Sequence, residues 1–390
     1  HFRRPAVEKD GEAFVSGKIR PQGGRVADSV DIHSPDPAGS GAAVSAAATG
    51  LTQAVAGEFI RIPLPTLRLD TYTDFDLYLR LRNTNEYVLY RNANLIFTER
   101  HRDRLHQNSV TDVFIRASER GHYVRYLESR LDEIIADQNL TPVETSRIVY
   151  ECSTQLVNEV ISQPWLGENI KRARGLICGT VDHLLRGAGQ LHAMISIMSS
   201  DYRTYTHCVN VCVFGVALGQ RIGFSVRELH ELGVGLLFHD VGKAEIDSRI
   251  LNKPGPLDAD EWVIMKTHPE RGVAILQGSE YASPNALCAI GQHHEKCSGQ
   301  GYPRGLRSQE IHLFAKIASL ADVFDALTTN RPYRLAMDSF PALRLMQEEM
   351  REDFNPMLFQ ELIQLLGSRD DPAQVPDERP GDLSQMSSAA

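Results

Sequence analysis

Cysteine is sparse in this chain. The six cysteines, Cys152, Cys178, Cys208, Cys212, Cys288 and Cys297, form no C-x-x-C unit. In a chain of this length they read as free thiols in a reducing compartment, so the expected location is cytoplasmic. An excess of basic charge is also missing. The chain has 41 Lys and Arg against 50 Asp and Glu, a net charge of −9, and this excludes a broad electrostatic footprint for duplex nucleic acid. A small anionic substrate stays open, because a bound metal can invert the local field. Long apolar runs are absent. Residues 39–57 carry no charge but are mostly Ala, Gly, Ser and Thr, too polar for a membrane span. No basic segment precedes a compact apolar core, so no signal peptide is expected. There is no internal repeat, no receiver-like acidic cluster and no haem motif.

What is present is the balance of a soluble globular protein, 42 % hydrophobic and 23 % charged over 390 residues. At roughly 150 residues per domain, two to three domains fit. Residues 1–57 are rich in Gly, Ala, Ser and Pro without periodicity, and residues 369–390 are similar, so both ends read as disordered tails. Residues 58–135 read as a small α/β domain. Strands are expected at Phe75–Arg82, Tyr87–Arg91 and Val113–Ile115, with a turn at Asn83-Thr84-Asn85. A short helix capped by Thr98 should run to Gln107, and one helix should span Tyr123–Ile135. From Thr141 the pattern is helical throughout. Thr141-Pro142-Val143-Glu144 and Ser225-Val226-Arg227-Glu228 are capping boxes. Helices are expected over 141–163, 166–186, 188–198, 203–222, 226–239, 258–268, 284–295, 310–328 and 339–366. The fold class expected is mainly α, a helical bundle with a small N-terminal α/β domain.

Seven side chains on these helices carry metal-ligand chemistry: His207, His239, Asp240, His268, His293, His294 and Asp322. Buried on otherwise apolar segments, they are costly unless something binds them. Imidazole with carboxylate suits Fe, Mn, Zn or Ni better than Ca or Mg. Seven ligands exceed the need of one tetrahedral ion, whereas two ions bridged by a carboxylate and a hydroxide would use them. The adjacent pair His239-Asp240 is informative, because neighbouring side chains at a helix end diverge by about 100° and can serve two ions. Gly242 is expected to let the chain turn out of the helix. Lys243, three residues after Asp240, should face the same pocket and stabilise a developing anion. Cys297, close to the double histidine, is a candidate extra ligand.

Three segments together resemble the HD-GYP family: His239-Asp240-Val241-Gly242-Lys243; His293-His294-Glu295 with Gly299-Gln300-Gly301-Tyr302-Pro303; and the run from Ala321-Asp322 through Asp325-Ala326-Leu327-Thr328 to Arg331-Pro332-Tyr333-Arg334. The similarity covers about 141–366. It implies an HD-type helical domain over 141–368 with a non-haem metal centre, iron first and manganese or another divalent transition metal as the alternative. It implies hydrolysis of cyclic di-GMP to pGpG, with GMP as a further product left open, by a metal-bridging hydroxide; cyclic GMP-AMP, the substrate of some members, is the alternative. Carried over by position, the metal ligands are the seven residues above, Asp240 and Lys243 are catalytic, and Arg331, Arg334 and Tyr302 hold substrate. Asp325 is implied as a partner lying behind the ligands. A cyclic dinucleotide is the expected partner, with a homodimer or a signalling protein as a further one, and 58–135 is expected to be a regulatory domain. A binder without turnover and a mononucleotidase are the competing classes.

Two departures from the family pattern bear on this. Members with three metals carry a Glu one helical turn before the first His, where this chain has Arg203. A cation cannot ligate a metal, so two ions are expected and a second cleavage to GMP is disfavoured. Before the GYP segment, Cys297 and Ser298 stand where the family usually has a large aromatic residue and an Asp.

Overall fold

The computed structural model describes residues 58–81, 86–163, 167–198, 203–277, 282–331 and 334–367. The expected tails, the turn at 83–85, and Pro332 and Tyr333 lie outside these. The described residues fall into two compact units. One holds those up to Thr180 together with Ile246–Lys266; the other holds Val181–Glu245 and those from Thr267 onward.

The first unit contains six strands: β1 (Phe59–Pro63), β2 (Thr71–Tyr72), β3 (Leu77–Arg80), β4 (Tyr87–Arg91), β5 (Ile96–Phe97) and β6 (Asp112–Arg116). Four form an antiparallel sheet in the order β1-β6-β3-β4, and β2 pairs with β5. The expected strands at 75–82, 87–91 and 113–115 correspond to β3, β4 and β6. The strands β1, β2 and β5 lack a clear alternation and are not among those expected. Helices follow as α1 (Glu99–Gln107), α2 (Arg120–Glu128), α3 (Leu131–Ala136), α4 (Pro142–Ser162) and α5 (Gly167–Leu185, of which the residues up to Thr180 belong to this unit), with α9 (Ser248–Leu251) and α10 (Ala259–Met265) from the later segment. The single helix expected over 123–135 is two, because the chain leaves the helix at Ser129, whose hydroxyl turns back onto Tyr126 O at 2.8 Å. The core gathers Phe75, Phe97, Ile115, Leu127 and Ile134.

The second unit is all helical: α6 (Ala188–Ile197), α7 (Thr204–Arg221), α8 (Val226–Leu237), α11 (His268–Leu276), α12 (Pro284–Gln292), α13 (Leu313–Thr328), α14 (Ser339–Glu349) and α15 (Pro356–Gly367). Helix α7 is its axis, buried from Thr206 to Gly219. Glycine sets the spacing of its neighbours. A Cβ on Gly215 would lie 2.5 Å from Leu236 of α8, and one on Gly235 of α8 would lie 2.7 Å from Ala289 of α12. Three helices therefore stack closely enough to bring their ends to one place.

Two expected helices differ here. The run 339–366 breaks between Glu349 and Pro356. Pro356 has no N–H to continue a helix but suits a first turn, and Asn355 caps that turn by accepting from Met357 N at 3.0 Å and Leu358 N at 3.1 Å. The run 258–268 ends at Met265, and a new helix starts at His268 with Pro269 in its first turn. His268 therefore opens a helix instead of closing one. Among the described residues no helix is long and apolar enough to cross a membrane.

Candidate metal centre

Each candidate ligand stands near a helix terminus or on a buried helix face. His207 is in the first turn of α7, His239 and Asp240 follow α8, His268 begins α11, and His293 and His294 follow α12. Asp322 lies within α13. All seven converge, and none is more than 7 % exposed.

They sort into two groups around Asp240. Donor atoms of Asp240, His268, His293 and His294 lie within 4.8 Å of one another, as do those of His207, His239 and Asp322. Asp240 faces both. Its Oδ1 is 3.4 Å from His268 Nε2 and 3.9 Å from His293 Nε2, while its Oδ2 is 3.5 Å from His239 Nε2 and 3.8 Å from His207 Nε2. Nitrogens that would share an ion also crowd together: His268 Nε2 and His293 Nε2 are 3.2 Å apart, and His207 Nε2 and His239 Nε2 3.3 Å.

The backbone fixes which nitrogen each ring presents. His239 Nδ1 is 2.7 Å from Leu236 O, and His293 Nδ1 is 2.8 Å from Ile290 O. Carbonyls only accept, so Nδ1–H donates and the Nε2 lone pair faces the cluster. The same i−3 device serves both histidines because both follow the last turn of a helix. His207 is oriented by a carboxylate instead. Its Nδ1 is 2.7 Å from Asp325 Oδ2, and Asn210 Nδ2 donates to Asp325 Oδ1 at 2.8 Å. Ligand histidines are characteristically held in this way. Asn210 was not anticipated, although it lies one turn after His207 on the same face.

Electrostatics agree with a cation site. Burial alone would raise the carboxyl of Asp240, but Lys243 and the surrounding histidines hold it well below its usual range. Asp322 is likewise held ionised against its burial, chiefly by His207. Burial lowers His239 and His294 from the usual histidine value and lowers His293 to about 4. Burial also disfavours charge on His207, yet the hydrogen bonds of Asp322 and Asp325 prevail and lift it to about 10. Asp240 Oδ1 and His294 Nε2 are buried and make no hydrogen bond among the described residues. Interiors rarely leave such atoms unsatisfied. A buried carboxylate oxygen and an imidazole nitrogen facing one space fit divalent cations.

Lys243 sits in the short helical stretch Val241–Glu245, and its Nζ donates to Asp240 Oδ2 at 2.9 Å. Gly242 acts differently from expectation. Its φ is not positive, and a Cβ there would lie 2.0 Å from His268 O and 2.5 Å from Gly272 N. It is needed so that the His-Asp segment can press against the start of α11.

The segment after the double histidine is a folded loop anchored by Glu295. That carboxylate is buried and accepts from Arg304 N at 2.7 Å and Leu306 N at 2.8 Å. Gly301 closes the loop, since a Cβ would lie 2.4 Å from Lys296 N and 2.5 Å from His294 O. Tyr302 stacks on the His294 ring at 4.6 Å between centroids. The departures at 297–298 are tied to Asp353: Cys297 N donates to its carbonyl at 2.9 Å and Ser298 Oγ to its carboxylate at 2.7 Å. Cys297 belongs to neither ligand group, whereas Cys208 joins His239 and Asp240 in a third. Arg331 and Arg334 pair through their backbones, and the Arg334 guanidinium donates to Ala326 O and to Leu327 O at the end of α13. Arg203 is the exposed residue before α7.

Residues 204–358 match the HD domain family. The chain is 33 % identical over 184 residues to the cyclic di-GMP phosphodiesterase PA4108 of Pseudomonas aeruginosa, covering 47 % of this chain and 44 % of that one. It is 37 % identical over 156 residues to the 3′3′-cGAMP-specific phosphodiesterase 3 of Vibrio cholerae, covering 40 % and 34 %. The chain thus spans less than half the length of these curated relatives. Its fold is similar to that of Bd1817, an HDG"Y"P protein from Bdellovibrio bacteriovorus, with a TM-score of 0.56, 22 % identity, and coverage of 80 % of this chain and 100 % of that one.

Proposed function

We propose that residues 204–358, which match the HD domain family, form an HD-GYP domain that hydrolyses cyclic di-GMP to linear pGpG. The observation that carries this reading is Asp240, whose two oxygens face separate groups of histidines and acid. Such a carboxylate suits a pair of cations a few ångströms apart.

His207, His239, Asp240 and Asp322 would hold one ion, and Asp240, His268, His293 and His294 the other. Iron is the proposed metal, with manganese the alternative. When bound, two such ions supply a water acidified from about 15.7 towards roughly 7 and a Lewis acid for the phosphoryl oxygens. Water's oxygen joins phosphorus as the bond to ribose O3′ breaks, and the leaving oxygen takes a proton. Lys243 contributes a buried cation beside Asp240 and would stabilise charge on the phosphoryl oxygens. Asp325 and the carbonyls of Leu236 and Ile290 hold the histidine rings still, which removes reorganisation from the barrier. Arg331 and Arg334 are proposed to hold the substrate's phosphates, Arg334 by exchanging its carbonyl partners. Tyr302 is proposed to border the guanine pocket while its ring steadies His294. Arg203 supports a two-ion centre and a reaction that stops at pGpG. The domain at 58–135 is proposed to regulate the HD-GYP domain at 141–368, in the cytoplasm.

The test is incubation of the iron- or manganese-loaded chain with cyclic di-GMP and, separately, 3′3′-cGAMP, followed by chromatography. Linear pGpG from cyclic di-GMP supports the reading. Preferred cleavage of 3′3′-cGAMP reassigns the substrate, and tight binding without turnover in every metal replaces the enzyme with a binder.

A further inference from the structure

Helix α7 carries two donors in succession, His207 and Cys208, on faces about 100° apart. His239 and Asp240 lie across both. His207 Nε2 is 3.3 Å from His239 Nε2, while the Cys208 sulfur lies within 4.8 Å of donor atoms of the same His239 and of Asp240. Cys208 is fully buried. Its surroundings differ from those of the other buried thiols. Cys212 donates to Gly233 O at 3.7 Å and Cys152 to Val124 O at 3.9 Å, whereas the Cys208 thiol makes no hydrogen bond among the described residues. It faces an ionised carboxylate instead.

Resting on the metal-centre reading above, we propose that Cys208 is a sulfur ligand of the ion held by His207, His239, Asp240 and Asp322. The thiol loses its proton to solvent as the sulfur–metal bond forms, and no electron changes hands. A thiol that coordinates a cation is deprotonated outright. A donor of this softness biases the site towards iron, cobalt or zinc and away from manganese.

Cobalt(II) is the probe. The full chain, loaded with cobalt under anaerobic conditions, is examined by metal analysis, near-ultraviolet absorption and X-ray absorption at the cobalt edge. The expected result is two bound ions, a thiolate-to-cobalt charge-transfer band, and a sulfur neighbour at about 2.3 Å, the distance typical of metal thiolates. Cys208→Ser should abolish the band while still binding two ions, and Cys212→Ser should keep it. Two bound ions without a sulfur neighbour, or a band that survives Cys208→Ser, overturns the proposal and leaves the metal centre standing. No cobalt uptake overturns both. If Cys208→Ser does not fold, Cys208→Ala replaces it, and the wild-type absorption edge decides without either variant.

Discussion

Glu295 follows two histidines and sits 2 % exposed beside the cluster, so it invites assignment as a ligand or a base. The geometry gives it another task. Its two oxygens are both taken by backbone N–H groups of the following loop, Arg304 N at 2.7 Å and Leu306 N at 2.8 Å. Glu295→Gln keeps the shape but turns one acceptor into a donor facing a backbone N–H of the loop. A hydrogen bond to a charged group contributes roughly 1.5–3 kcal/mol. We expect a loss of about 2–3 kcal/mol for Gln, and roughly twice that for Glu295→Ala, which abandons both donors. At roughly 2–4 °C per kcal/mol for a unit of this size, the Gln variant should melt about 5–10 °C lower. Turnover should fall with it, because the loop carries Tyr302 against His294, but two ions should still bind. The assay is denaturant unfolding of the two variants, paired with metal analysis. A Gln variant as stable as wild type refutes the anchoring argument, and a stoichiometry that drops to one makes Glu295 a ligand.

Gly301→Ala forces a Cβ to 2.4 Å from Lys296 N and 2.5 Å from His294 O; overpacking of this kind costs about 1–3 kcal/mol, and the loop should relax at the expense of activity, seen as lost turnover with metal retained. Lys243→Met should lower kcat by about 10²–10³, the usual effect of removing one donor from developing charge, with both ions still bound; an unchanged kcat would mean Lys243 only pairs with Asp240. His207 is raised from 6.5 to about 10 in the metal-free protein. Its contribution to stability is therefore complete below pH 6.5 and is lost as pH rises through 10. Metal-free protein should lose stability over that window, while metal-loaded protein should not, and loading at pH 7 should release the His207 proton, measurable in weakly buffered solution. A metal-free unfolding midpoint that is flat between these pH values contradicts the Asp322–His207–Asp325 arrangement.

The chemistry of the site was more legible in the sequence than its architecture. The ligand types at His207, His239, Asp240, His268, His293, His294 and Asp322 stand out because such groups are rare on apolar segments, and all seven converge. Lys243 met Asp240 because a separation of three residues places both on one face. Helix boundaries were harder. The pattern of apolar residues continues across Pro356 and across Ser129, and it was the local capping of Asn355 and the Ser129 hydroxyl that broke the helices. The role of Gly242 was misread because a glycine after a helix suggests a turn, whereas its need arises from α11, distant in sequence. Cys208 was passed over for Cys297 for a related reason. Nearness in sequence to the double histidine favoured Cys297, but packing of α7 against the end of α8 brought Cys208 to the cluster. The strands β2 and β5, two residues each, are too short to be distinguished from loop, and β1 shows no clear alternation.

The central claim is that Asp240 is shared between two cations. Anomalous diffraction from crystals of the manganese- or iron-loaded protein measures this directly. The account predicts two peaks flanking the Asp240 carboxylate, one against His207, His239 and Asp322 and the other against His268, His293 and His294. A single peak, or peaks remote from Asp240, would contradict it.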